Sequence, residues 1–136
     1  MISFNYEIEF ELDNELILSE WISNAIIEES FKEGEINYIF CDDAYLLKLN
    51  IEFLEHDTLT DIISFDYTLG KLISGDIYIS IERVRDNAKD FEESFYTELS
   101  RVMIHGILHY CGYKDKTEDD AAVMRSKENY YISKVS

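Results

Sequence analysis

The chain has 136 residues, a length that suits one domain with a core of its own. Hydrophobic residues make up 46% and aromatics 14%, which excludes a disordered chain despite a charged content of 30%. Twelve basic against 29 acidic residues leave a net charge of −17, and this field works against any broad surface for polyanions.

Ile2 to Leu12 alternate apolar and polar with period two and predict a half-buried strand. Leu16 to Phe31 predict a helix with Leu18, Trp21, Ile22, Ala25 and Ile26 on its buried stripe, Ser19 as cap and Gly34 as stop. Residues 36–41 are rich in β-formers and predict a second strand. Asp42 and Asp43 suit the start of a helix through about Phe53, with Tyr45, Leu46, Leu49 and Phe53 inward. A polar loop containing His56 follows; no role is assigned to that histidine.

Residues 62–67 and 75–81 predict two further strands, joined closely enough for an antiparallel pair. Ser80 or Glu82 opens a helix through about Lys89, and another starts near Ser94 and carries two histidines. Thr117 with Asp120 resembles a capping box for a last helix reaching Tyr131. Early alternation of strand and helix, then paired strands, then helices, predicts one α+β domain over 1–136. Its expected architecture is a four-stranded mixed β-sheet with packed helices.

No apolar run approaches the roughly 18–20 residues of a membrane span, and the N-terminus lacks the basic and apolar regions of a secretory leader. Cys41 and Cys111 sit in apolar settings and suit buried free thiols in a reducing cytoplasm, the expected location.

The densest chemistry lies in H-G-I-L-H-Y-C-G-Y-K-D, from His105 to Asp115. Histidines four apart on a helix leave from one face. Gly112 can end that helix in a left-handed conformation, so the chain can fold back and offer Tyr113, Lys114 or Asp115 to the rings. Two nitrogens and one oxygen can hold a metal and leave a position open. Cys111 falls on nearly the opposite helix face and is a poor ligand. Gly106 stands where the zinc-peptidase pattern H-E-x-x-H needs its glutamate, which argues against peptide hydrolysis.

Together with L-N-x-x-F, T-D-I-I-S-F, G-D-I-Y-I-S and M-R-S-K-E in order, these residues resemble the YbeY family over about 37–131. The resemblance implies a metalloprotease-like layout of the sheet and helices. It also implies a single-strand-specific, metal-dependent endoribonuclease acting in late 16S ribosomal RNA 3′-end processing and ribosome maturation. Matched to the family pattern H-G-x-L-H-x-x-G-Y-D-H, His105 and His109 take the first two metal positions, and Asp115 takes the third, where a histidine is usual. The implied ion is one zinc (Zn2+) per chain, and two histidines with one carboxylate also suit iron, manganese or nickel as Fe2+, Mn2+ or Ni2+.

In the family the strand holding Ser64 and Phe65 borders the cleft, which makes both candidates for substrate contact. Leu54 stands where the family has an arginine, with Lys71, Lys114 and Lys116 as possible replacement cations. Thr60 and Asp61 are expected to cap a turn, Asp76 to lie in one, and Glu98 to be a solvated helix residue. The expected partners are ribosomal RNA and a basic ribosomal protein or the small ribosomal subunit, with no membrane. Leu54 and the charge of −17 also support an alternative, a ribosome-assembly binding protein whose metal is mainly structural.

Overall fold

The computed structural model describes residues 1–54 and 60–135, so His56 lies outside the described residues. Among the described residues, four strands form one mixed sheet: β1 (Ile2–Tyr6), β2 (Lys32–Cys41), β3 (Ile62–Asp66) and β4 (Leu72–Ser80). Their order across the sheet is β1-β2-β4-β3, with β1–β2 and β2–β4 parallel and β3–β4 antiparallel. The helices are α1 (Glu15–Glu28), α2 (Asp43–Leu54), α3 (Ile81–Asp90), α4 (Phe95–Tyr110) and α5 (Glu118–Ile132).

The register divides the sheet into two faces. Ile36, Tyr38, Phe40, Ile77 and Ile79 point into the main core beneath α1 and α4. Cys41, Ile63, Phe65 and Tyr78 point the other way, into a smaller cluster with Leu46 of α2. Helix α4 is buried almost all round, as its sequence of apolar residues requires, and α3 and α5 pack against it. Two buried donors tie the layers together: Trp21 Nε1 donates to the Tyr131 carbonyl at 2.8 Å, and Tyr38 Oη to the Met103 carbonyl at 2.9 Å.

The caps at Ser80, Ser94 and Thr117 form as expected, each hydroxyl accepting from the backbone N–H three residues on. Other boundaries move. The first strand stops at Tyr6, because Glu7 N–H takes the Phe40 carbonyl and the chain then turns at Phe10, whose N–H bonds Ile8 O. Ile8, Phe10 and Leu12 still pack on the core, so their alternation records burial and not a ladder.

Helix α1 ends at Glu28, two residues before Ser30, which takes a left-handed conformation with φ 68°, and Phe31 N–H reaches back to Ile26 O. Gly34 lies inside β2, and Ser19 is internal to α1, its hydroxyl bonded to Leu16 O. On α2, Leu46 is buried, whereas Tyr45 and Phe53 remain exposed on the thinly covered sheet face. Both cysteines are free, and burial pushes each thiol up to about 12.

Candidate metal centre

Close packing of α4 on the sheet sets the height of the site. A Cβ at Gly106 would stand 3.0 Å from Ile77 Cδ1 and 3.3 Å from Ile62 Cδ1, so glycine lets this turn lie directly on β4 and β3. His105 and His109 flank that contact and stay half-buried. Past Tyr110 the helix stops at Gly112 with φ 101°, Tyr113 N–H bonds Leu108 O, and the reversed chain brings Asp115 back over the rings.

His105 Nε2 and His109 Nε2 lie 2.9 Å apart, and Asp115 Oδ2 is 3.3 Å from the first and 3.4 Å from the second. The other nitrogen of each ring is committed. His109 Nδ1 is 3.0 Å from the Tyr113 carbonyl, which can only accept, so that nitrogen carries the proton. His105 Nδ1 is 2.7 Å from Glu128 Oε2 and donates to a carboxylate. Two neutral rings so oriented turn two Nε2 lone pairs towards each other and towards a carboxylate oxygen. Three convergent acceptors repel unless a proton or a metal ion joins them.

The spacing also fits a metal. Ligands at 2.0–2.1 Å in a tetrahedron stand about 3.3 Å apart, close to the three edges observed. Burial alone would lower the basicity of His105, but the bond to Glu128 and the nearby Asp115 and Asp61 raise it above the ordinary imidazole value. Cationic charge is therefore favoured at this point.

Glu128 was not visible as a site residue in the sequence. It is buried, and its second oxygen takes Arg101 Nη1 at 3.3 Å. Its signal was positional: Met124, Glu128 and Tyr131 form one inward stripe of α5, and an acid on such a stripe needs a partner. Glu98 carries the same signal and is buried, not solvated. Burial raises its carboxyl to about 7 against the opposing pull of Arg101, whose Nε lies 3.8 Å away.

A cleft of about 310 Å³ opens beside His105 and Asp115, between the start of β3, the end of α3, α4 and α5. Asp61, Phe91, Arg101 and Arg125 line it. Burial raises the Asp61 carboxyl, partly offset by bonds from backbone N–H groups and by His105. Ser64 lies on the sheet face turned to α4, paired in register with Ile77. Phe65 lies on the opposite face, edge-on to Phe53 and Tyr78 at 5.9 and 5.8 Å.

Leu54 ends α2, 42% exposed, and does not line this cleft. Lys71 sits over the Phe31 ring at 4.3 Å, while Lys114 and Lys116 are exposed on either side of Asp115. Asp76 is a strand residue that accepts from Asn37 Nδ2 at 3.0 Å.

Residues 3–136 match the family described as Endoribonuclease YbeY. An Endoribonuclease YbeY of Flavobacterium johnsoniae is 66% identical over 133 residues, covering 98% of this chain and 96% of the relative. Another, from Christiangramia forsetii, is 54% identical over 97% of this chain and 92% of its own length. The solution structure of a Thermotoga maritima protein superposes with a TM-score of 0.72 at 28% identity, over 99% of this chain and 89% of that one.

Proposed function

The chain belongs to the endoribonuclease YbeY family, and from that premise we propose that it cleaves single-stranded RNA with a divalent ion held by His105, His109 and Asp115. The observation that carries this reading is the convergence of two imidazole Nε2 atoms, each in a ring whose Nδ1 faces an acceptor, with one carboxylate oxygen. When bound, such an ion supplies Lewis acidity towards a phosphoryl oxygen and an attacking water. The protein's own part is orientation. Glu128 and the Tyr113 carbonyl hold the Nδ1 protons, so both Nε2 atoms stay free, and Asp115 supplies the charge. The donor set suits zinc, and also accommodates ferrous iron, manganese or nickel.

The substrate we propose is ribosomal RNA, in 16S 3′-end processing during ribosome maturation in the cytoplasm. Ser64 and Phe65 of β3 are proposed to touch the substrate from opposite faces of the sheet, outside the cleft itself, whose lining includes neither. The net charge of −17 favours a basic ribosomal protein of the small subunit as the docking partner. The same charge supports a second reading, a ribosome-assembly binding protein with a structural ion. Incubation of metal-loaded protein with ribosomal RNA separates the two. Turnover that His105→Ala abolishes supports the nuclease, and binding without turnover supports the assembly role.

A further inference from the structure

The cleft beside the metal ligands holds two exposed groups that the metal site does not use. Phe91 caps the end of α3 as a residue 59% exposed, and among the described residues it stacks on no other aromatic. Arg125, on α5, has a side chain 57% exposed, and its Nε only approaches Glu128 Oε1, at 3.7 Å. The cleft's other guanidinium, Arg101, is buried and fixed by Asn129 at 2.8 Å, Glu128 at 3.3 Å and Glu93 at 3.4 Å, so it cannot turn to a ligand.

We propose that Phe91 and Arg125 form a subsite for one unstacked nucleotide of single-stranded RNA, the ring taking the base face and the guanidinium the backbone phosphate. This rests on the nuclease reading above and deepens it. A volume of about 310 Å³ lies at the small end of ligand pockets and admits one nucleotide, not a duplex. An aromatic ring and a cation lining one cleft, as Phe91 and Arg125 do, are a recurrent way to hold a single strand without reading its sequence. The cleft's acids do not forbid it. Glu128 is spent on His105 and Arg101, Glu98 lies 3.8 Å from Arg101, Asp115 faces the two imidazoles, and Asp61 accepts from Asn87 at 3.5 Å. Arg125 then supplies, from α5, the phosphate contact that Leu54 cannot make.

The test is binding of a 2′-O-methyl single-stranded oligonucleotide by anisotropy over a salt series, alongside cleavage of the unmodified RNA. Phe91→Ala should weaken binding about five- to a hundredfold, and Phe91→Trp should restore it. Arg125→Gln should raise KM and reduce the salt slope by about 0.7, one single-strand phosphate contact, with metal content unchanged. Lys89→Gln, an exposed cation that does not line the cleft, should change neither. Unchanged binding and slope in both cleft variants of an active enzyme overturn the subsite alone, as does an equal loss in Lys89→Gln. A metal-loaded wild type that neither binds nor cuts RNA overturns the nuclease reading and the subsite with it.

Discussion

Replacing Glu128 by Gln tests how the metal ligands are oriented. The carboxylate serves two donors at once, His105 Nδ1 at 2.7 Å and Arg101 Nη1 at 3.3 Å. Glutamine keeps the shape but has one acceptor oxygen, so its amide N–H must face one of the two donors. A charge-assisted bond contributes about 1.5–3 kcal/mol and a neutral one about 0.5–1.5 kcal/mol, so the His105 contact should weaken by about 1–2 kcal/mol. That corresponds to a loss of metal affinity near tenfold, at the lower edge of the 10–100-fold typical of groups that orient a ligand histidine. Glu128→Ala should approach the upper edge. Asn129→Ala is the control, because Asn129 holds Arg101 at 2.8 Å without touching a ligand. It should lower the melting temperature and leave metal affinity unchanged. Competition with a chromogenic chelator measures the affinities, and thermal melts of the metal-free proteins measure stability. If Glu128→Gln binds metal as tightly as wild type while its melting temperature falls, Glu128 serves the Arg101 cluster and does not position His105.

His109→Ala should lower metal occupancy strongly by elemental analysis, whereas Asp119→Asn, in the first turn of α5, should leave it nearly intact; a large loss in Asp119→Asn with none in Asp115→Asn reassigns the third ligand. Glu98 links stability to pH. Its carboxyl stands at about 7 in the folded state against 4.5 for a free side chain, so the folded state holds the extra proton. Its contribution is present below about pH 4.5 and is lost as pH rises through about 7, some 3 kcal/mol at most. Glu98→Gln should flatten the fall in melting temperature across that window, and an unaltered profile would show that Glu98 titrates normally. At Gly75 an added Cβ would meet Phe65 O and Tyr110 Oη, both at 2.5 Å. Gly75→Ala should therefore destabilise by about 2–3 kcal/mol in denaturant melts, as overpacking does, and no change would mean that β3 and Tyr110 move apart freely.

What was legible in the sequence were features with local causes. The caps at Ser80, Ser94 and Thr117, the glycine stop at Gly112 and the spacing of His105 and His109 depend on neighbours a few residues away and form as expected, whereas the cap expected at Ser19 and the stop expected at Gly34 do not. The misplaced features depend on distant partners. The length of β1 is set by where it leaves β2, and the end of α1 by Ser30, which carries no strong stop signal. Asp115 was found only through the family pattern, since spacing left Tyr113 and Lys114 open as well. Glu128, Arg125 and Phe91 reach the cleft from helices far apart in the chain, so no local pattern joins them to the histidines. For Glu128 and Glu98 the clue was an acid on an apolar stripe.

The order of the elements also bears on how the protein is made. Among the described residues the four strands are complete by Ser80, whereas the proposed ligands and Glu128 fall within 105–128. A chain emerging N-terminus first can therefore assemble its sheet before any metal-facing group leaves the ribosome. Tight binding of the proposed ion would then follow docking of α5, because only then does Glu128 fix the His105 ring. On the proposed metal reading, uptake would be a late step of biosynthesis. Nascent chains stalled before α5 should hold a formed sheet yet retain an ion more weakly than the full chain.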